Sequence, residues 1–225
     1  MVPVISFIGW HNSGKTTLAS QVVAHLKAKG YKVAVIKSTK ERGLAVEAPQ
    51  TDTAVYRRVG ADRVALSAPD QLLIRSDPPG LDLQSLAHRF FFEMDLVIAE
   101  GFKHAAQVDK IEVRRDPDSP LLRDQVAGVV AVVTDLPLTG GMVFRLDQSR
   151  ELADYVETRL LAGCNAPAAR IALTVDGRSV ALPESLRRQL TETLLTLLNP
   201  VQPAGQEGTM ELRIQWSRSP TSAPR

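Results

Sequence analysis

The chain has 225 residues, 44% of them hydrophobic and 23% charged, which is enough for one substantial folded domain and a small appended unit. Its formal net charge of only +2 does not indicate a nucleic-acid partner, and its single cysteine excludes an intramolecular disulfide and any multi-cysteine metal site. No apolar run approaches the ~20 residues that cross a bilayer, and the apolar N-terminus lacks a basic leader. We therefore expect a soluble, cytoplasmic protein with no membrane partner.

The first 160 residues alternate short β-branched runs with helical patterns, which is typical of βαβ units and a mainly parallel sheet. The predicted strands are Val4 to Ile8, Lys32 to Ile36, Arg63 to Ser67, Gln71 to Arg75, Asp95 to Ala99, Ile111 to Arg114 and Val126 to Val133. The predicted helices are Thr16 to Lys29, Thr53 to Val59, Leu83 to Phe92 and Ser149 to Leu161.

Glycine, asparagine and proline between Ala162 and Ala168 predict a hinge, which divides the chain into a domain over residues 1–163 and a small ββαβ module over residues 164–216. The module could be a second domain or an extension packed on the first. Its predicted elements are Arg170 to Val175, a turn at Asp176-Gly177, Ser179 to Leu182, the helix Glu184 to Leu198, and Thr209 to Trp216. Residues 217–225, rich in Ser, Pro and Arg, are predicted to be disordered.

The segment Gly9 to Thr16 fits the phosphate-binding pattern G-x-x-x-x-G-K-[ST], and it lies between an apolar strand and a helix, as the mechanism requires. Lys15 is expected to reach the β and γ phosphates, and Thr16 to bind Mg²⁺ through its hydroxyl. Thr17 would contact the α-phosphate or cap the helix. The predicted phosphate-binding residues are Gly9, Asn12, Ser13, Gly14, Lys15, Thr16 and Thr17. The motif predicts an α/β P-loop NTPase that binds a nucleoside triphosphate.

A second acidic motif, Asp95 to Gly101, has the hydrophobic run of a Walker B strand but ends in glutamate. At ~3.3 Å per residue, Asp95 and Glu100 lie ~16 Å apart and cannot both face one metal ion. Because parallel sheets place their ligands at the carboxyl ends of strands, we choose Glu100. It would orient Mg²⁺ or polarise an attacking water, so Glu100 and Lys15 are the candidate catalytic residues and Thr16 and Glu100 the candidate metal ligands.

Three further side chains are candidate ligands of the nucleotide. Lys37 ends the second strand and could touch phosphate, and Asp52 heads a predicted helix, where it is also an N-cap candidate. Asp135 follows a strand at the point where many P-loop proteins contact the base, and its carboxylate could accept from guanine N1 and N2. However, no N-K-x-D string occurs, so spacing alone does not predict guanine recognition.

The strand around Glu112 adds charged groups near the same edge of the sheet. Alternation places Glu112 and Arg114 on the face opposite Ile111 and Val113. The same pattern would be expected of an exposed edge strand, so both interpretations stay open.

Together these motifs resemble the MobB family, the adaptor proteins of molybdopterin-guanine dinucleotide biosynthesis. The resemblance covers most of residues 3 to 135 and is most specific where E-G-F-K is followed by K-I-E-V. Its segments are Gly9 to Thr17, Val35-Ile-Lys37, Pro49 with Asp52-Thr53, Arg57 with Gly60-Ala61-Asp62, Asp95 to Lys103, and Lys110-Ile-Glu112-Val. The patterns around Leu173 to Arg178 and Met210 to Ile214 look like the extension of the longer members.

The resemblance implies a protein that binds GTP and Mg²⁺ and is at most a weak GTPase. It would assist the guanylyltransferase that joins GMP to molybdenum-bound molybdopterin, by contacting that enzyme, and it would form a homodimer. The molybdopterin cofactor is a candidate ligand. One departure matters: where the family often has a histidine-rich stretch, this chain has Ser38 to Arg42, which leaves Lys37 and Lys40 as candidate substitutes.

Two other functions compete with this interpretation. The runner-up is an ATP-dependent small-molecule kinase or a ligase of the dethiobiotin-synthetase type, whose strand also ends in E-G. A nucleoside kinase would need an arginine-dense lid, but only Arg75 and Arg89 lie between Asp70 and Asp95. The third is a metallochaperone-like GTPase, against which the four histidines and one cysteine argue.

Overall fold

A computed structural model describes residues 2–42, 44, 50–77, 80–162, 173–175 and 178–198. In chain order the elements are β1 (Val4–Ile8), α1 (Lys15–Ala28), β2 (Val33–Lys37), α2 (Asp52–Arg58), β3 (Arg63–Ser67), β4 (Leu72–Ser76), α3 (Leu83–Phe91), β5 (Leu96–Glu100), β6 (Asp109–Val113), a short 3-10 helix (Leu122–Asp124), β7 (Val129–Val133), β8 (Val143–Phe144), α4 (Ser149–Leu160), β9 (Leu173–Val175), β10 (Arg178–Val180) and α5 (Glu184–Leu198).

The main sheet has six strands in the order β2-β5-β1-β6-β7-β8, and all of its pairings are parallel. Its central strand β1 is buried along its whole length, because helices cover both faces of the sheet. The parallel arrangement brings the carboxyl ends of all six strands to one edge. The predicted α/β class with a mainly parallel sheet flanked by helices is confirmed.

Two apolar clusters form the core, one on each face of the sheet. On one face, Ile5 and Phe7 of β1 pack with the buried residues of α1 and α4. On the other, Val4 packs with Leu83 and Ala87 of α3. The alternation along β1 thus divides its side chains between the two helical layers.

The predicted boundaries agree with the observed ones within one or two residues for most elements, and the differences concern the position of β6 in the sheet and the start of β7. Instead of forming an edge, β6 lies between β1 and β7, and Glu112 is fully buried, so the edge-strand interpretation is wrong. The strand predicted from Val126 begins only at Val129, because the chain before it turns: the Val126 N–H donates back to the Leu122 carbonyl oxygen at 2.8 Å, and Gly128 has φ +83°. The two-residue strand β8 was not predicted, since it is too short to show alternation.

The remaining strands form two separate antiparallel pairs. The strands β3 and β4 make a hairpin that α2 contacts through β3. Near the C-terminal end of the described chain, β9 pairs with β10, and β10 contacts α3. Three predictions lie outside the described residues: the hinge beyond Ala162, the strand Thr209 to Trp216 and the disordered tail 217–225. Within the ranges given above, no helix combines the length and apolarity needed to cross a bilayer.

Candidate functional site

The predicted P-loop connects β1 to α1 at the carboxyl edge of the sheet. A Cβ on Gly9 would lie 2.4 Å from the carbonyl oxygen of Val113 and 2.5 Å from Ser13 Oγ, so only glycine fits there. Gly14 has φ +90°, a left-handed conformation that favours glycine, and as the N-cap residue of α1 it provides no side-chain hydrogen bond to the helix. The first N–H groups of α1 therefore stay available to an anion.

Internal hydrogen bonds hold the loop in shape. The backbone N–H of Ser13 donates to the carbonyl oxygen of Trp10 at 3.3 Å, and Asn12 adopts φ +57°, a conformation asparagine tolerates better than most residues. Lys15 Nζ donates to the Trp10 carbonyl oxygen at 2.6 Å and to Ser13 Oγ at 3.4 Å. Burial lowers the pKa of Lys15; nearby Glu100 opposes this effect and Lys37 adds to it.

Three of the predicted residues meet beside the loop. Thr16 Oγ1 lies 2.9 Å from each carboxylate oxygen of Glu100, and Lys37 Nζ lies 3.3 Å from Glu100 Oε1. Lys37 and Glu100 are paired partners at the ends of β2 and β5. Asp95, at the opposite end of the acidic motif, accepts a hydrogen bond from the Lys32 N–H at 2.9 Å instead.

This cluster suits a hard cation that shares its coordination with a phosphate. Thr16 and Glu100 supply hydroxyl and carboxylate oxygens, the donors that Mg²⁺ prefers. The described ranges hold no group of three His, Cys, Asp or Glu side chains that could bind a metal ion. A metal held here would thus need further oxygens from a phosphate or from water, which is how Mg²⁺ is usually bound in nucleotide sites.

An open cleft of about 570 Å³ adjoins the P-loop at the carboxyl ends of β6, β7 and β8. Its lining residues are Arg115, Asp135, Leu136, Arg145, Leu146 and Asp147. Asp135 Oδ1 accepts a hydrogen bond from the Leu146 N–H at 3.1 Å and lies 3.9 Å from Arg145 Nε. Every contact of this carboxylate within the described chain uses Oδ1, so Oδ2 can still accept from a ligand.

Two predictions about helix ends are wrong. Thr51, rather than Asp52, caps α2: its hydroxyl accepts from the Ala54 N–H, and Asp52 is the first residue of the helix, exposed and without a hydrogen bond or ion pair to the P-loop in the part of the chain described. Thr17 does not cap α1, because that helix already begins at Lys15. In both cases the helix starts one residue earlier than its sequence pattern indicates.

The β6–β7 loop, residues 114–128, contributes contacts that the sequence analysis did not find. Trp10 Nε1 donates to the Pro120 carbonyl oxygen at 2.9 Å, which ties the P-loop to this loop. Both carboxylate oxygens of Glu112 accept backbone hydrogen bonds, from Leu122 and Arg123, each at 2.8 Å. The only sequence signal was a run of charged residues at the end of β6, and it pointed equally to a solvated edge.

Known proteins match this chain in both sequence and fold. The family model of MobB, molybdopterin guanine dinucleotide synthesis protein B, matches residues 4–135. The molybdopterin-guanine dinucleotide biosynthesis adapter protein of Escherichia coli (strain K12) is 31% identical over 163 residues, 69% of this chain and 92% of that protein. Its Haemophilus influenzae counterpart is 28% identical over 162 residues, 71% of this chain and 90% of that protein.

A crystal structure of molybdopterin-guanine biosynthesis protein B has a TM-score of 0.56 to this chain at 29% identity, and the match covers 70% of this chain and 98% of that one. The P-loop NTPase fold and the family expected from the motifs are both confirmed. The chain belongs to the MobB family.

Proposed function

We propose that this protein is a GTP-binding accessory protein in molybdenum cofactor maturation, which assists the attachment of GMP to molybdopterin. The observation that supports this most directly is the cluster of Thr16, Glu100 and Lys37 beside the P-loop of a MobB family member. Its relatives are named as adapters in making the guanine dinucleotide cofactor. An adapter of that kind needs a nucleotide site that responds to ligand and a surface that contacts another protein.

In this proposal the groups of the site exchange partners when GTP binds. Lys15 turns from the Trp10 carbonyl oxygen towards the β and γ phosphates, while Thr16 releases Glu100. Lys37 stays beside Glu100 and offsets the negative charge of the carboxylate and of the phosphates. Thr16 and Glu100 would hold Mg²⁺, which would supply positive charge against the phosphates. Because Lys37 still pairs with Glu100 after Thr16 has left it, we expect Glu100 to orient water poorly, which fits a weak GTPase.

Guanine selectivity would come from the cleft. Oδ2 of Asp135 is available to accept from guanine N1–H and N2–H₂, a pair of donors that adenine does not offer. Arg145 lies 3.4 Å from Asp147 and 3.9 Å from Asp135, so the cleft wall is held by ion pairs. These contacts would fix the Asp135 carboxylate before the base arrives.

The proposed homodimer would use the β3–β4 hairpin. Leu72 and Ile74 lie on one face of β4 and are 63% and 56% exposed, and Val59, the C-cap residue of α2, is 77% exposed. Apolar side chains grouped in this way mark a surface that another protein covers. We propose a second copy of the chain as its partner, and a separate contact with the guanylyltransferase.

Other parts of the proposal rest on the sequence alone. These are the division into a domain over residues 1–163, a module over residues 164–216 and a tail, the cytoplasmic location, and direct contact with the molybdopterin cofactor. Lys37 and Lys40 are the residues we propose for that contact. Replacing both with alanine should weaken binding of the cofactor, and unchanged binding would remove support for their role.

The proposed function is tested with a reconstituted guanylyltransferase reaction. GMP attachment to molybdopterin is measured with the purified enzyme alone, with this protein, and with its Lys15→Ala variant. We expect the wild-type protein to increase the rate or yield, and the variant to lose this effect because it cannot hold the phosphates. The proposal fails if the wild-type protein changes nothing, and transfer of phosphate to a metabolite would support the kinase alternative.

A further inference from the structure

Arg115 is held in place by a tightly bonded stretch of backbone. Its neighbour Arg114 donates through Nη2 to the carbonyl oxygens of Pro117 and Ser119, at 2.7 and 3.2 Å. On its other side, Asp116 accepts from the Ser119 hydroxyl at 2.6 Å and from the Asp118 N–H at 3.0 Å. The residues on both sides of Arg115 are therefore engaged inside the loop, which fixes where the Arg115 side chain begins.

The guanidinium of Arg115 lies against the P-loop. A Cβ placed on Gly14 would be 3.0 Å from both Cζ and Nε of Arg115 and 3.1 Å from Nη2. The same side chain lines the cleft that contains Asp135. Within the described ranges, Arg115 has neither a hydrogen bond nor an ion pair, so its five N–H donors have no protein acceptor.

The position of Arg115 indicates which part of a nucleotide its guanidinium would contact. Gly14 belongs to the phosphate cradle, whereas Asp135 stands at the proposed base end of the cleft. The groups of a nucleotide that lie between its terminal phosphates and its base are the ribose and the α-phosphate. A guanidinium carries only donors and pairs best with an anionic oxygen, so the α-phosphate matches it better than the ribose hydroxyls do.

We infer that Arg115 is a further nucleotide-contacting residue, whose guanidinium binds the α-phosphate between the P-loop and the base cleft. This inference rests on the proposed function, because it takes a guanine nucleotide as the ligand of the site. Arg115 would act beside Lys15, which serves the β and γ phosphates. The contact would be common to GTP and GDP, since both carry the α-phosphate, and it would not depend on Mg²⁺.

The inference is tested by calorimetric titration of the full-length protein and its Arg115→Ala and Arg115→Lys variants with GTP, GDP and both diastereomers of GTP bearing sulfur on the α-phosphate. Arg115→Ala should bind GTP and GDP about tenfold to hundredfold more weakly, by similar factors. Arg115→Lys should retain part of the affinity, because it keeps the charge but loses the paired donors. The exposed Arg150 on α4 gives the matched control, Arg150→Ala, which should bind as wild type does.

The sulfur analogues separate a direct contact from a structural effect. Wild type should distinguish GTP from at least one diastereomer, and Arg115→Ala should lose that discrimination. The inference is overturned if Arg115→Ala binds GTP as tightly as wild type, or if it loses the same factor for GTP and for both analogues. If wild type binds no guanine nucleotide at all, the proposed function itself has failed.

Discussion

The P-loop region and the middle segment of the chain, residues 50–92, differ in the partners of their side chains. Polar side chains pair with each other in the P-loop region, whereas the middle segment exposes apolar side chains and buries a polar ring. Beside the P-loop, the Thr16 hydroxyl and the Glu100 carboxylate bind each other, so the polar groups proposed to bind Mg²⁺ are already paired. In the middle segment, Leu72 is exposed while the His88 ring is buried. In the proposed function, the nucleotide site is therefore complete within one chain, whereas a second copy of the chain covers the exposed apolar side chains of the middle segment.

The largest effect is expected at Glu112, which supports the P-loop side through the β6–β7 loop. Glu112→Ala would leave two backbone N–H groups without their acceptor in the protein interior, and it should lower the free energy of unfolding by about 3 kcal/mol. Chemical denaturation measures this, with exposed Glu93→Ala as the matched control. If Glu112→Ala lowers the free energy of unfolding no more than Glu93→Ala does, the buried carboxylate does not stabilise the loop.

The second effect concerns His88, which is 4% exposed on α3 and has no hydrogen-bond partner on either ring nitrogen among the described residues. Burial lowers its pKa from 6.5 to about 4, although nearby Asp82 opposes the shift. The folded protein thus binds this proton less readily than the unfolded chain. The stability that neutral His88 contributes is therefore fully present above pH 6.5 and is lost as the pH falls towards 4.

That loss should reach about 3 kcal/mol for His88 alone, since one pKa unit corresponds to about 1.4 kcal/mol. Denaturation at a series of pH values measures it, and His88→Leu should flatten the curve in this window. If His88→Leu and wild type lose stability in parallel between pH 6.5 and 4, the ring is not buried in its neutral form.

The third effect tests the paired cluster itself. Thr16→Ala should weaken Mg²⁺-dependent binding of GTP about tenfold to hundredfold, because it removes the hydroxyl proposed to bind the metal. Titration of Mg²⁺ at fixed GTP measures this, and Thr158→Ala on the exposed side of α4 is the matched control. An unchanged Mg²⁺ midpoint in Thr16→Ala would remove Thr16 from the metal site.

The smallest effect on nucleotide binding is expected from substitutions in the β3–β4 hairpin. An unchanged affinity for GTP there would show that the hairpin and the P-loop region act separately. The double variant Leu72→Ser and Ile74→Ser should dissociate the proposed homodimer while the affinity for GTP stays within about twofold. Sedimentation velocity and calorimetry measure the two properties, with the exposed Met142→Ser as control. A variant that stays dimeric would place the interface elsewhere, and a large loss of GTP affinity would show that the two regions are coupled.

Features determined by neighbouring residues could be predicted from the sequence, whereas features that depend on residues far apart in the chain could not. The P-loop is a local pattern, and Glu100 followed from the rule that ligands lie at the carboxyl ends of parallel strands, so both were accessible. The hydrogen bond between Trp10 and Pro120 joins residues 110 positions apart, and no periodicity encodes it. Arg115 resembled any solvated arginine, because its environment depends on how β6 is placed beside β1.

Helix caps show a more local limit. Thr51 and Asp52 are adjacent and both are good cap residues, so their types alone could not decide which one stands outside the helix. Glu112 shows the reverse error. A charged residue in an alternating strand usually faces solvent, but here two backbone N–H groups of the following loop satisfy the carboxylate inside the protein.

The central claim is that the P-loop and its cleft form one guanine-selective site, and calorimetric titration with GTP and then ATP, each with Mg²⁺, tests it most directly. The wild-type protein should bind GTP at least tenfold more tightly than ATP, a difference of about 1.4 kcal/mol, and Lys15→Ala should lose this binding. Equal or tighter binding of ATP would contradict the claim and favour an ATP-dependent enzyme.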